Sequence, residues 1–136
     1  MGIVQEEITL KNVKDKMKAE EGYIKEFEVR EATVQAVVDT GAMNLVINEQ
    51  LRQQLGLGVV GERPVTLADS TKRTVKIAET VEIRWKNRSM ICQPWVVSAG
   101  RILFGVIPLE YMDLMVDPTN QKLVGVHGDE EVGILY

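Results

Sequence analysis

The chain has 136 residues, one domain's length, and can bury a core without disulfides or a structural metal. Its net charge of −4 and its seven aromatic residues argue against a surface built to coat a polyanion or stack bases, so no nucleic-acid partner is expected. One cysteine, Cys92, and one histidine, His127, exclude an internal disulfide and any multi-cysteine or multi-histidine metal site in one chain, and leave little material for Ser–His or Cys–His catalysis.

In chain order, Ile3–Leu10 reads as an edge strand, and Asn12 caps a short helix running to about Lys18 and ended by Gly22. Tyr23–Arg30 alternates, with Ile24, Phe27 and Val29 as its apolar members. Thr33–Val38 is a β-branched strand that runs into Asp39-Thr40-Gly41. Leu45-Val46-Ile47 follows as a short buried strand, and Asn48 caps a helix over Glu49–Leu55 that Gly56 stops. Val59–Leu67 and Thr74–Trp85 read as two strands around a polar tip, with Lys86-Asn87-Arg88-Ser89 as a second turn and Met90–Val97 as the next strand. Ile102-Leu103-Phe104 is an apolar strand stopped by Gly105, and Pro108 suits the first turn of a helix to Met112. Leu114-Met115-Val116 leads into a turn at Asp117-Pro118-Thr119-Asn120, with Lys122–Val126 and Val132–Tyr136 as closing strands. The whole is mainly β, with one or two short helices.

Charge separates two regions. Residues 1–31 hold 14 charged side chains, whereas 32–68 hold five, one of which is Asp39. The expectation is one domain in which 1–31 is a charged N-terminal segment and 32–136 the folded unit. Residues 72–88 carry six basic groups against Glu79 and Glu82, read as a solvated hairpin face. Cys92 reads as a small core residue, His127 as a surface residue, and Trp85 and Trp95 as core or interface. No apolar run approaches the roughly 18 residues that span a bilayer. Gln5, Glu6 and Glu7 are unlike a secretory leader, and Glu6 stands where a myristoylation signal has Ser or Thr. A cytoplasmic protein with no membrane partner is expected.

The informative segment is Ala36-Val37-Val38-Asp39-Thr40-Gly41-Ala42. An Asp at the end of a buried strand is costly unless it is paired, hydrogen-bonded or used. Gly41 allows a tight turn whose N–H groups point at the carboxylate, and the Thr40 hydroxyl can brace the loop. Alone, such a short triplet reads first as a plain turn.

A later apolar-apolar-Gly, Leu103-Phe104-Gly105, followed by the helix Pro108–Met112 and by Leu114-Met115-Val116-Asp117-Pro118, changes the reading. Over roughly residues 30–125 the chain resembles the retropepsin-like, single-lobe aspartic proteases, including their bacterial relatives. The resemblance implies a closed β-barrel with one lobe per chain, catalysis by Asp39, and an active-site loop of Thr40, Gly41 and Ala42 supported by Leu103, Phe104 and Gly105. It places a flap at Ala68, Asp69, Ser70 and Thr71, without the Gly-rich tip of viral relatives. It implies a peptide or protein substrate and no metal or cofactor. Met43 and Val106 stand where viral members often carry an acidic residue and an Arg, so an ion pair is lost as a unit.

The chemistry that the resemblance implies needs two carboxylates around one water, and this chain has one Asp-Thr-Gly. Asp69-Ser70-Thr71 lacks the Gly, and Pro118 removes an N–H that a loop at Asp117 would need. A homodimer with Asp39 from each copy is the economical solution. The alternative is a catalytically silent dimeric β module that binds extended peptides by strand addition.

Overall fold

The computed structural model describes residues 3–128. In chain order these form β1 (Gln5–Asn12), α1 (Val13–Glu20), a 3-10 turn (Glu26–Glu28), β2 (Glu31–Val38), β3 (Val46–Asn48), α2 (Glu49–Gln54), β4 (Val59–Thr66), β5 (Lys72–Ala78) and β6 (Val81–Trp85). Then come β7 (Arg88–Cys92), β8 (Trp95–Val97), β9 (Ile102–Phe104), α3 (Val106–Tyr111), β10 (Leu114–Asp117) and β11 (Lys122–Gly125). The fold is all-β in class: a nine-stranded half-barrel sheet ordered β4-β5-β8-β3-β9-β2-β1-β6-β7, with β10 and β11 as a separate hairpin. Among the described residues no helix is long and apolar enough to cross a membrane.

One face of the sheet makes the core. Ile8 and Leu10 of β1, Ala36 of β2, Ile47 of β3, Ile83 of β6 and Phe104 of β9 are at most 1% exposed and pack in one cluster. The short helices start where side-chain oxygens replace missing backbone partners. Asn12 Oδ1 accepts from Asp15 N at 3.0 Å, and Asn48 Oδ1 accepts from Leu51 N at 2.9 Å. Asn12 also donates to Leu55 O at 2.8 Å, which ties α1 to the end of α2.

The structure corrects several expectations. β1 is an interior strand, not an edge, because β2 and β6 pair with its two sides. Tyr23–Arg30 is not a strand. The Glu28 carboxylate accepts from Lys25 N at 2.9 Å and closes a 3-10 turn, leaving Tyr23 and Phe27 among the most exposed large side chains. Thr74–Trp85 breaks at Glu79-Thr80, because Glu79 accepts from Gly58 N and Thr80 O accepts from Val13 N; β5 and β6 then join different parts of the sheet. Met90–Val97 breaks at Gln93-Pro94, where Pro has no N–H for the ladder. Arg88 is not on a solvated face. It opens β7, is 1% exposed, and donates to Met112 O and Asp113 O at 2.7 Å and to Gly128 O at 2.5 Å. His127 is exposed, as expected of a surface residue, and pairs through Nδ1 with Asp113 Oδ1 at 2.7 Å. The expected strand Val132–Tyr136 lies outside the described residues.

Candidate active site

The β-branched run of β2 delivers Asp39 to the end of a strand flanked by the core. The chain then turns at once: Ala42 N donates to Asp39 O at 3.1 Å, and Gly41 N donates to the Asp39 carboxylate Oδ1 at 2.8 Å. The second carboxylate oxygen, Oδ2, has no hydrogen-bond partner among the described residues. Asp39 is half-buried, while Thr40 and Gly41 are exposed. One oxygen is therefore fixed by the backbone, and the other has no such bond.

β9 locks this turn. It lies between β2 and β3, parallel to β2, with Val37 opposite Leu103 and Val38 opposite Phe104. Asp39 N donates to Phe104 O at 3.1 Å. Gly105 then packs against the loop so closely that a Cβ there would sit 2.3 Å from Asn44 O and 2.6 Å from Ala42 O. No side chain fits between these backbones, which is a physical reason for Gly after an apolar pair. α3 begins here without a side-chain cap, and its first N–H groups are satisfied by the loop itself: Val106 N donates to Ala42 O and Ile107 N to Met43 O, each at 2.9 Å. Thus Asp39, Thr40, Gly41 and Ala42 come together with Phe104 and Gly105, while Leu103 projects from the other face of β9.

Two contributions are not visible in the sequence reading. Asn44 Oδ1 accepts from Leu45 N at 2.8 Å and its Nδ2 donates to Gln93 O at 3.2 Å, fastening the exit of the loop. A depression of about 350 Å³ beside Asp39 and Thr40 is lined by Ile3, Val4, Val116 and Pro118, from opposite ends of the chain. An Asn directly after a turn and small apolar segments at both ends are weak signals without a register.

The hairpin of β4 and β5 projects with most of its residues in solvent. Its tip holds Ala68, Asp69, Ser70 and Thr71. The Asp69 carboxylate accepts from Thr71 Oγ1 at 2.5 Å and from Thr71 N at 3.0 Å, and these bonds hold it below the usual carboxylate range. Asp117 is likewise occupied by its own turn, accepting from Asn120 Nδ2 at 2.8 Å and Thr119 N at 3.1 Å. Among the described residues neither tip nor turn hydrogen-bonds to the Asp39 loop.

The family model for aspartyl proteases matches residues 25–126, well over half of the chain. The chain belongs to the aspartyl protease family. A comparison with curated proteins finds no match. The family segment contains the whole Asp39 loop, β9 and α3, and of the depression beside Asp39 all but Ile3 and Val4. Membership supports peptide-bond hydrolysis by aspartyl carboxylates as the activity in general.

Proposed function

We propose that the chain is an aspartic endopeptidase whose active site is built by two copies, each contributing Asp39. The observation that carries this reading is the single carboxylate at the β2 end, with Oδ1 fixed by Gly41 N and Oδ2 unengaged. Of the two other Asp candidates, Asp117 engages both carboxylate oxygens in its own turn, while Asp69, whose Oδ1 is held by Thr71, stands at the exposed hairpin tip with no hydrogen bond to the Asp39 loop, so a second carboxylate from within the chain is not supported. A second copy supplies it without any new element. Thr40, exposed beside Asp39, lies where the two loops would brace each other across the axis.

Two carboxylates sharing one site do not ionise together at low cost, so their protons leave in separated steps. In that state one Asp39 is ionised and takes a proton from the water held between them. The water oxygen bonds to the scissile carbonyl carbon, and the protonated Asp39 of the other copy gives its proton to the carbonyl oxygen. The tetrahedral gem-diol then breaks its C–N bond as the nitrogen receives a proton, which yields an acid and an amine. The apolar outer surface beside Asp39, formed by Val37 and Leu103, supports a substrate that is extended and apolar at its centre. The β4–β5 hairpin, with Ala68–Thr71 at its tip, would serve as the flap that closes over it.

The test combines three measurements on the full chain: cleavage of a peptide library near pH 4–6, binding of a statine-type inhibitor, and sedimentation. Asp39→Asn should keep the circular dichroism spectrum and lose cleavage. Activity that persists in Asp39→Asn, or cleavage by a protein that stays monomeric at assay concentration, would sink the shared-site mechanism.

A further inference from the structure

The sheet register carries one row of residues across six strands. Val37 of β2, Leu103 of β9, Val46 of β3, Trp95 of β8, Ile77 of β5 and Gly61 of β4 are successive partners. Paired residues project from the same face of a sheet. None of these side chains belongs to the main buried cluster or packs on it, whereas their neighbours Ala36, Phe104, Ile47 and Val96 do; Val46 is covered within the row, and Val37, Leu103, Trp95 and Ile77 are half-buried. Elsewhere on this outer face β1, β2 and β6 present Thr9, Thr33, Gln35, Glu82 and Arg84, as such a face normally does. The apolar row starts two residues before Asp39 and runs away from it into the hairpin.

At its far end the row turns basic. The Arg63 guanidinium lies 5.6 Å from the centre of the Trp95 ring. Arg63 stands opposite Val75 and Arg73 opposite Val65, which puts both arginines on the same face as Ile77 and Trp95. None of the ion pairs among the described residues involves either one. The acidic neighbour of Arg73 is Asp69, whose oxygen is held by Thr71. The other face of the hairpin differs, since Lys76 there stands opposite Glu62. A recess of about 340 Å³ is lined by Arg73, Val75, Lys76, Val96 and Val97 and by Glu49, whose carboxylate is bonded to Arg52.

We propose that Arg63 and Arg73 select substrates that carry an acidic side chain on the flank of an apolar centre. The proposal rests on the Asp39-centred reading above. Val37 to Trp95 is three strand spacings, roughly 14 Å, and an extended peptide advances about 3.3 Å per residue. The acidic residue therefore falls about four residues from the scissile bond. A guanidinium resting on an indole face is held in place before the ligand arrives, and its planar fork accepts a carboxylate through two N–H groups.

The test takes the best substrate from a library of apolar-centred peptides, or the tightest binder if none is cut. It is made with Glu, Gln or Lys at the third or fourth position from the centre. Binding is read by fluorescence anisotropy on Asp39→Asn, and cleavage on the unsubstituted protein. The Glu peptide should bind about five- to tenfold tighter than the Gln peptide, and the Lys peptide more weakly still. The advantage should sit in KM rather than kcat and shrink as salt rises. It should vanish in the Arg63→Gln, Arg73→Gln double variant, checked for folding by circular dichroism, and return in part with Lys at both positions. Equal affinity for all three peptides, no binding of any, or a Glu preference that survives the double substitution would overturn the proposal. Charge-ordered binding without cleavage would refute the Asp39 chemistry and leave acid selection standing. Cleavage without charge order would do the reverse.

Discussion

Gly105→Ala tests whether the contact between β9 and the Asp39 loop is as unforgiving as its geometry implies. The added Cβ would lie 2.3 Å from Asn44 O, 2.6 Å from Ala42 O and 2.8 Å from Asn44 N, all backbone atoms of a loop pinned at both ends. A relaxed carbon–oxygen contact is about 3.3 Å or more, so the loop must retreat by roughly 1 Å. Retreat stretches the bonds from Val106 N to Ala42 O and from Ile107 N to Met43 O, which also cap α3. Overpacking costs about 1–3 kcal/mol, and weakening two partly buried hydrogen bonds adds about 1 kcal/mol each, for a total of about 3–5 kcal/mol. In a chain of this size that lowers Tm by about 10–18 °C. A 1 Å displacement of a catalytic loop costs on the order of 100-fold in rate, so cleavage should fall further than stability alone explains. Urea midpoints at fixed protein concentration and kcat from peptide cleavage measure the two effects separately. A Gly105→Ala protein that matches the unsubstituted chain in both would show that the loop yields freely, and the reasoning from backbone clash would be wrong.

Three further outcomes follow from buried polar groups. Asp15 is 3% exposed and accepts two side-chain bonds and one backbone bond from Arg30, and chiefly the side-chain bonds hold its carboxyl below the ordinary value of 3.8. Its stabilisation is thus present above that value and lost as pH falls through the lowered one; Asp15→Asn should cost about 1–2 kcal/mol at pH 7, discounted because Arg30 is half-exposed, with the gap closing towards pH 2 in urea titrations. Arg88→Met keeps the packing of the stem but leaves the carbonyls of Met112 and Gly128 without the Arg88 donor and that of Asp113 with Val126 N alone; a loss of about 2–3 kcal/mol is expected, and an unchanged urea midpoint would refute it. Burial pushes the Cys92 thiol up to about 12, so it should resist thiol reagents at pH 8 in the native protein and react on unfolding.

Much of the fold was legible because local chemistry dictated it. The Asn48 cap and the β-branched run into Asp39 both stand where the sequence puts them. The pairing of Leu103-Phe104-Gly105 with the Asp39 loop came from a family resemblance, and its physical reason, the missing room for a Cβ at Gly105, needed coordinates. The breaks at Glu79-Thr80 and Gln93-Pro94 were missed for different reasons. The first is set by Glu79 reaching Gly58 N and Lys14, contacts 21 and 65 residues away in sequence. The second had a signal in Pro94, which an unbroken apolar run obscured. Phe27 was read as apolar and hence inward, yet a three-residue turn closed by Glu28 holds it in solvent.

The same alternation explains why the site strands were easy to see and hard to interpret. β2, β3 and β9 are apolar at consecutive positions, a pattern that ordinarily marks strands buried on both faces. Here the two faces have different employment. Ile47 and Phe104 are fully buried in the core, while Val46 and Leu103, one residue away, project from the opposite face in line with Val37 beside Asp39. A chain that needed only a core would make that second face polar, as β1 and β6 do with Thr9, Glu82 and Arg84. Val46 is itself covered within the chain, but Val37 and Leu103 beside it are only half-buried, and a surface that receives apolar side chains at the end of a fixed carboxylate accounts for their apolar character.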